Sequence, residues 1–336
     1  MSDQSTRIAM KILVTGGAGY IGSHAVRQLS EAGYRVVAYD NLATGHRRAV
    51  LYGELVVGDV TDKAALRHLF ARHRFDAVLH FAAHTIVPES VSEPLRYYRN
   101  NTYGTLCLID ACWEFGVDKL VFSSSATVYG NPPHISVGED APLLPINPYG
   151  ASKMMAERVM TDLGAASSFR YVILRYFNVA GADPAGRTGQ ACPQGTHLIK
   201  NACRVALGQR AKLTIFGDDY ATPDGTCFRD YVHVEDSARA QLDALRHLTE
   251  GGNSLVLNCG YGHGISVREV IAAVQRVSGV DFPVEVRPRR PGDPPNLVAN
   301  NNKIKAALGW RPQYDDLEFI ISTAFAWEKK LVGLTG

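Results

Sequence analysis

The sequence predicts an α/β protein, a doubly wound parallel sheet followed by a smaller mixed α/β C-terminal region. Three observations carry that prediction. Short apolar runs alternate with segments of helical period from Lys11 to about Arg175, and a glycine-rich turn follows the first run at once. After Asn178 the alternation gives way to a texture in which Gly, Pro and Asp are frequent. At 336 residues the chain is long enough for one large or two modest domains with a sizeable core.

In order along the chain, Lys11 to Thr15, Arg35 to Tyr39, Glu54 to Val57, Ala77 to Phe81, Lys119 to Ser123 and Tyr171 to Arg175 read as strands. The segments between them carry helical spacing, as in Ala64, Leu66, Leu69 and Phe70, or Leu106, Ile109, Cys112, Trp113 and Phe115. In the second region helices are readable at about His197 to Leu207, Val234 to Leu248, Val267 to Val277 and Leu317 to Lys330. Short strands fall near Leu213 to Phe216, Val256 to Cys259 and Val284 to Arg287. No Ser- or Gly-rich linker separates residues 10–178 from 179–336, so the two regions are expected to pack as one unit around a cleft, with some later segments returning to the first sheet.

Composition removes several functional classes. Apolar residues make up 46% and charged ones 20%, which fits neither a disordered polyelectrolyte nor a fibrous repeat. The 35 basic and 33 acidic residues leave a net charge of +2, no global field for nucleic acid. Six cysteines form no C-x-x-C pair and are expected to be reduced thiols, and no metal is called for. Met1 to Met10 lacks the apolar core of a signal peptide and no run is long enough to span a bilayer, so the expectation is a cytoplasmic protein without a membrane partner.

The turn Gly16-Gly17-Ala18-Gly19-Tyr20-Ile21-Gly22 satisfies both G-x-x-G-x-x-G and G-x-G-x-x-G between a strand and a helix. Glycines there allow a tight turn and the close approach of a pyrophosphate to helix N-terminal N–H groups, which makes residues 10–178 a Rossmann-like dinucleotide-binding domain. Asp40, ending the second strand, can accept both hydroxyls of an adenosine ribose and repel a 2′-phosphate, which favours NAD over NADP. His46-Arg47-Arg48 downstream reads either as a phosphate clamp or as a solvated loop face. Asp59 reads either as a partner of an adenine amino group or as a turn or N-cap aspartate before the helix starting near Asp62.

Tyr149-Gly150-Ala151-Ser152-Lys153 opens a helix after Asn147-Pro148, and four-residue spacing puts Tyr149 and Lys153 on one face. A tyrosine with a pKa of about 10 needs a nearby cation to favour the phenolate, and Lys153 is placed to supply it. Alone, Y-x-x-x-K is an ordinary helix pattern. Phe122 to Gly130, with Ser123-Ser124-Ser125, begins at the C-terminal end of the fifth strand, the edge where parallel sheets bind ligands, and Ser125 or a neighbour becomes a candidate in a hydrogen-bond relay.

These motifs, with Asp40-Asn41-Leu42, Arg175 to Asn178, Phe216 to Tyr220, Asp224-Gly225-Thr226, Arg229 to Val234 and Pro288 to Asp293, resemble the extended short-chain dehydrogenase/reductase superfamily and, within it, the UDP-glucose 4-epimerase family. The resemblance runs from about Met10 to Trp327. It implies that Tyr149 is the base at the sugar 4-hydroxyl, Ser125 its hydrogen-bond partner and Lys153 the cation that holds the nicotinamide ribose. It places NAD against Gly16, Gly19, Tyr20, Ile21, Gly22, Asp40, Asn41, Asp59, Val60, Phe81, Ala82, Ala83, Asn100 and Phe177. It points to Asn178, His197, Leu198, Phe216, Arg229, Arg290 and Asp293 for a UDP-sugar, the two arginines suiting its diphosphate. The implied reaction interconverts UDP-galactose and UDP-glucose by transient oxidation at C4, with NAD unchanged overall. Read without the family, Arg229 beside Asp230 is an exposed ion pair.

Three positions depart from the family pattern. His84-Thr85 stands where a cofactor-contacting lysine is common, and His84 reads as a polar loop residue. His197 stands where asparagine is often found. Leu297 replaces a tyrosine or a smaller residue that admits N-acetylated sugars, which leaves N-acetylhexosamines and pentoses such as UDP-xylose open. Nucleotide-sugar 4,6-dehydratases carry an Asp-Glu pair where this chain has Ala126-Thr127. A non-catalytic NAD sensor would tend to lose Tyr149 or Lys153. Family analogy implies a homodimer through helices near Tyr98 to Phe115 and Tyr149 to Leu163.

Overall fold

The computed structural model describes residues 9–193, 195–290 and 296–335. Seven strands form the central sheet: β1 (Lys11–Thr15), β2 (Arg35–Asp40), β3 (Glu54–Val57), β4 (Ala77–His80), β5 (Lys119–Ser125), β6 (Arg170–Tyr176) and β7 (Leu255–Cys259). Their order is β3-β2-β1-β4-β5-β6-β7, and every neighbouring pair is parallel. The six strands read from the first half are all present, and the segment near Val256 returns to the sheet as its seventh strand, in register with β6. Strand β2 runs on through Asp40, which pairs with Val57, and β5 runs on to Ser125.

The strands are buried on both faces, as parallel strands under two helical layers must be. Ile12 and Val14 join one core with α1 (Tyr20–Glu31), while Leu13 joins the other with α2 (Lys63–His73), α3 (Gly104–Glu114) and α4 (Pro148–Ala166). That is the period-two alternation of a strand sorting its side chains into two layers. Helix α4 begins where Asn147 accepts the Gly150 N–H at 2.9 Å, with Pro148 in the first turn, where a missing donor does no harm.

The later region packs α5 (Leu198–Ala206), α6 (Val234–Thr249), α7 (Val267–Ser278) and α8 (Leu317–Thr335) onto the same body. A single buried cluster contains Val14 of β1 together with Ile199, Leu245, Val270 and Phe325, so no apolar seam divides the chain. Helix α7 starts with a reciprocal capping box between Ser266 and Glu269 and ends at Gly279, whose φ of 70° the left-handed position requires. Strands Leu213–Phe216 and Val284–Arg287 pair in parallel beside the cleft. The small pieces Ser136–Val137, Asn178–Ala180, Phe228–Arg229, Tyr231–His233, Ile265–Ser266 and Asn296–Ala299 were not legible, because two to four residues carry no period.

Helices α1 and α6 are joined by a buried ionic cluster. Glu235 binds Nδ1 of His24 at 2.5 Å, accepts from Gln28 at 2.6 Å and is paired with Arg27. Burial alone would raise the Glu235 carboxyl, but the bonds from His24, Arg27 and Gln28 outweigh it and hold the pKa at about 2. Its contribution to stability is therefore complete above the ordinary value of 4.5 and is lost as pH falls toward about 2. Glu235→Gln, which strands the buried Arg27 charge, should lower the unfolding free energy by about 3 kcal/mol at neutral pH. In urea unfolding, the difference from wild type should narrow across that acid window.

Candidate active site

Strands β1 and β4 are neighbours whose connections leave in opposite directions, and the crevice at their C-terminal ends opens into a cleft of about 790 Å³. The glycine turn forms its floor. Gly16 has φ +72°, and a Cβ on it would lie 2.6 Å from the Ala82 nitrogen; one on Gly22 would lie 2.1 Å from the Gly16 oxygen. The backbone therefore approaches the end of β4 and the start of α1 more closely than any side chain permits. Gly19 caps α1 without a side-chain bond, and Gly16, Gly19, Tyr20, Ile21 and Gly22 all line the cleft.

At the end of β2, the buried Asp40 carboxylate accepts the Ala18 N–H at 3.0 Å and the Leu42 N–H at 2.8 Å. Burial pushes its pKa up, while those bonds and His46 pull it back. His46 lines the cleft, but Arg47 and Arg48 are exposed and outside its lining, so the arginines form a solvated face. Asp59 accepts from Thr61 N and Oγ1 at 2.8 and 2.7 Å and from Asn41 at 2.8 Å. Partial burial would raise this carboxyl, and those bonds hold it below the ordinary value. Asp62, not Asp59, caps α2; Gly58 and Val60 line the cleft, whereas Asp59 braces the turn between them. Phe81, Ala82, Ala83, Asn100 and Phe177 complete this half.

The Ser–Tyr–Lys set stands over the centre. Ser125 ends β5 and its Oγ accepts from Thr127 N and Oγ1 at 3.2 and 2.9 Å. A Cβ on Gly150 would meet the Thr127 oxygen at 2.5 Å, so this glycine lets α4 close on the turn after β5 and brings the Tyr149 phenol near enough to Ser125 for the serine to bear on its titration. Lys153 donates to the Ser123 carbonyl at 2.7 Å, with its ammonium 4.7 Å over the Phe122 ring. Burial lowers the Lys153 pKa to about 7, against an upward pull from Glu157. Burial likewise raises Tyr149, and the bond with Ser125 is what opposes it. Burial thus opposes the charged form of both groups, and in the protein alone Ser125 is the neighbour that favours the phenolate.

Across the cleft stand Asn178, His197, Leu198, Phe216, Arg229 and Arg290. The Arg290 guanidinium lies 3.6 Å over the Phe216 ring, and His197 Nδ1 meets Gln190 Nε2 at 2.6 Å. Asp230 is fully buried and accepts from Tyr261, Gly262 and Ala299 N–H groups at 2.8, 2.9 and 3.1 Å, which replaces the exposed ion pair read from the sequence. Asp293 lies outside the described residues. His84 lines the cleft with its backbone N–H and carbonyl both bound to the Asn101 amide. Leu297 is buried among Ala126, Val128 and Phe177 and does not line the cleft.

Several side chains of this site carried no sequence signal. Tyr97, fully buried, meets Tyr149 edge-on at 6.3 Å, its hydroxyl donating to Glu89 at 2.7 Å. His80 is buried beneath the glycine turn with its ring nitrogens on Thr15 and Thr105 at 2.6 and 2.8 Å. Only a polar residue inside an apolar strand could have hinted at it. Asn100, which the resemblance places against NAD, sits in a wide π-helical turn, Tyr98–Tyr103, whose shape no local pattern announces. Among the described residues there is no group of His, Cys, Asp and Glu that could hold a metal, and no helix long and apolar enough to cross a membrane.

A parallel sheet with a cradle free of side chains at its switch point, an acidic residue after β2 and a Ser–Tyr–Lys set in the same cleft defines a dinucleotide-dependent enzyme of the short-chain dehydrogenase/reductase kind. Residues 12–260 match the NAD dependent epimerase/dehydratase family, and the chain belongs to it. It is 55% identical over 332 residues to the UDP-glucose 4-epimerase of Azospirillum brasilense, covering 98% of this chain and 95% of that one. Among solved structures it resembles the UDP-glucose 4-epimerase from Brucella ovis in complex with NAD, at 46% identity and TM-score 0.92 over 95% of this chain and 98% of that one. It also resembles the UDP-Glc/GlcNAc 4-epimerase of Campylobacter jejuni, at 49% identity and TM-score 0.85 over 96% and 100%. The resemblance read from the motifs is borne out.

The cradle yields a direct test. Gly22→Ala forces a methyl onto the Gly16 carbonyl and should lower stability by about 1–3 kcal/mol. The purified variant should carry less bound dinucleotide than wild type, measured by chromatography of the nucleotide released on denaturation.

Proposed function

We propose that this chain is a cytoplasmic, homodimeric enzyme that interconverts UDP-galactose and UDP-glucose at C4 with tightly held NAD. The observation that carries the reading is one cleft with Ser125, Tyr149 and Lys153 at its centre, the glycine cradle on one side and Phe216, Arg229 and Arg290 on the other. Residues 10–178 supply most of the dinucleotide half and 179–336 most of the nucleotide-sugar half, with β7 returning to the first sheet.

The residues present fit NAD. Gly16 and Gly22 let the turn pack against the backbone at Ala82 and against itself, the compact turn that would present helix N-terminal N–H groups to a pyrophosphate, and the Asp40 carboxylate would meet a ribose diol while disfavouring a 2′-phosphate. Bound NAD supplies what no side chain here can, reversible acceptance of a hydride from a carbinol carbon. Tyr149 takes the proton of the sugar 4-hydroxyl and later returns it, with Ser125 hydrogen-bonded to its phenol. Lys153, anchored on Ser123, would hold the cofactor ribose. Arg229 and Arg290 hold the diphosphate while the sugar turns to present its opposite face. No carboxylic acid stands at Ala126-Thr127 to protonate a leaving hydroxyl, which disfavours a 4,6-dehydratase.

Leu297 favours a second reading in substrate scope. It is packed behind Ala126 and Phe177, not in the cleft, so it does not itself fill the space an N-acetyl group would need. For the dimer, Leu106 and Trp113 on α3 and Met155 on α4 are exposed apolar side chains on the two helices expected to pair.

Incubation with UDP-galactose, followed by NMR of the anomeric signals without added NAD, should yield UDP-glucose. Tyr149→Phe should retain dinucleotide and lose about 10²–10⁴-fold in kcat; no conversion by wild type, even with NAD supplied, would sink the hexose reading. Trp113→Glu should turn a dimer into a monomer by light scattering, and an unchanged mass would remove this face from the interface.

A further inference from the structure

Behind the Tyr149–Lys153 pair lies a buried polar cluster that the proposed chemistry does not use. Tyr149, Lys153 and Glu157 follow one another at four-residue spacing on α4 and are all buried. The Glu157 carboxylate accepts the Ser124 hydroxyl at 2.5 Å and the Arg175 guanidinium at 2.7 Å from Nη2 and 3.1 Å from Nε. Arg175 in turn donates to the Tyr129 hydroxyl at 2.8 Å and to the Glu139 carbonyl at 3.1 Å, and Tyr129 donates to Asn258 at 2.7 Å. The cluster thus ties α4 to both ends of the Ser124–Tyr129 segment that carries Ser125.

A buried ion pair is a poor way to gain stability when apolar side chains of similar volume could fill the space, so its position invites a local reason. Ser124 immediately precedes Ser125, and Ser123 supplies the carbonyl on which Lys153 is anchored. Resting on the 4-epimerase reading, we propose that Glu157 is a positioning residue of the reaction: held by Arg175, it fixes the Ser124–Ser125 end of β5 against the turn of α4 that carries Tyr149 and Lys153.

The same carboxylate, one helical turn on from Lys153, also bears on the amine. From β5 it meets the Ser123 carbonyl and the Phe122 ring. On β4, His80 is neutral at working pH, because burial, reinforced by Lys153, pushes its pKa to about 3. On its own helix Tyr149 is a phenol raised by burial, and on β6 Tyr176, which hydrogen-bonds Ser123 and Gln241, is raised the same way. Arg175 on β6 is engaged with Glu157 itself. Among the described residues Glu157 is the group that opposes the effect of burial on the amine.

The test is the pH dependence of kcat on UDP-galactose for purified enzyme with its dinucleotide bound. Removing the carboxylate lowers the Lys153 pKa, so activity should be lost at lower pH as the solution is made alkaline. We expect the alkaline limb of Glu157→Gln to move down by about one pH unit, with kcat near neutrality reduced about tenfold and KM little changed. Glu157→Asp, which keeps the charge, should restore the limb toward its wild-type position. Because Glu157→Gln leaves Arg175 buried without its counter-charge, the paired Glu157→Gln/Arg175→Met variant repeats the comparison with no orphaned ion. A folded, dinucleotide-loaded variant whose kcat and alkaline limb both superimpose on those of wild type overturns the proposal. Wild type inactive on UDP-galactose would instead overturn the reading on which it rests.

Discussion

The absence of a Cβ at Gly16 and Gly22 is the constraint on which the rest of the site depends. With hydrogen there, the chain leaving β1 turns against the backbone after β4 and enters α1 within contact distance of its own turn. That contact brings the C-terminal edges of β1 and β4 together at the switch point and leaves helix N–H groups facing a cleft with no side chain in the way. The position of α1 then fixes what is behind it. Tyr20 donates to the Gly181 carbonyl at 2.6 Å, Ser23 meets Thr188 at 3.1 Å, and Arg27 reaches the carboxylates of Glu31 and Glu235. The helix that cradles a dinucleotide is therefore also the one to which the loop bordering the opposite half is fastened.

Burial governs the electrostatics of the centre more than any single charge does. The same desolvation that raises Tyr149 lowers Lys153 and His80, so each group is pushed toward its neutral form. Burial also keeps the phenol, the group that gives and takes a proton, from exchanging it freely with water. What remains to bias the set is local: one bond from Ser125 to the phenol, one carbonyl under the ammonium and one carboxylate a helical turn away.

Much of this was legible in the sequence, for physical reasons that also explain what was not. Strands buried on both faces write themselves as apolar runs, and the fingerprint glycines are required by backbone contacts that hold whatever the remote sequence, so the sheet, the cradle and the place of Asp40 could be read residue by residue. The Tyr149 and Lys153 spacing is helical geometry. Short strands such as Phe228–Arg229 are created by pairing with Ile265–Ser266 and Asn296–Ala299, and no local preference announces them. The same holds for polar contacts between distant segments. Asp230 looked like a partner for its neighbour Arg229, yet three backbone N–H groups from two other segments claim its carboxylate.

Leu297 shows where reading by position meets reading by space. The family resemblance puts it at a place that bears on which sugar is admitted, but it pairs with Arg229 and is buried in one cluster with Ala126 and Phe177, outside the lining of the cleft. Any influence it exerts passes through those two neighbours: a larger side chain there would press on Phe177 and on the turn that begins at Ser125, and a smaller one would let them settle inward. Because interiors are close-packed, such a change is transmitted and not absorbed. The wall behind the Ser–Tyr–Lys set is therefore shaped by the residues packed beneath it as well as by the side chains that form its surface.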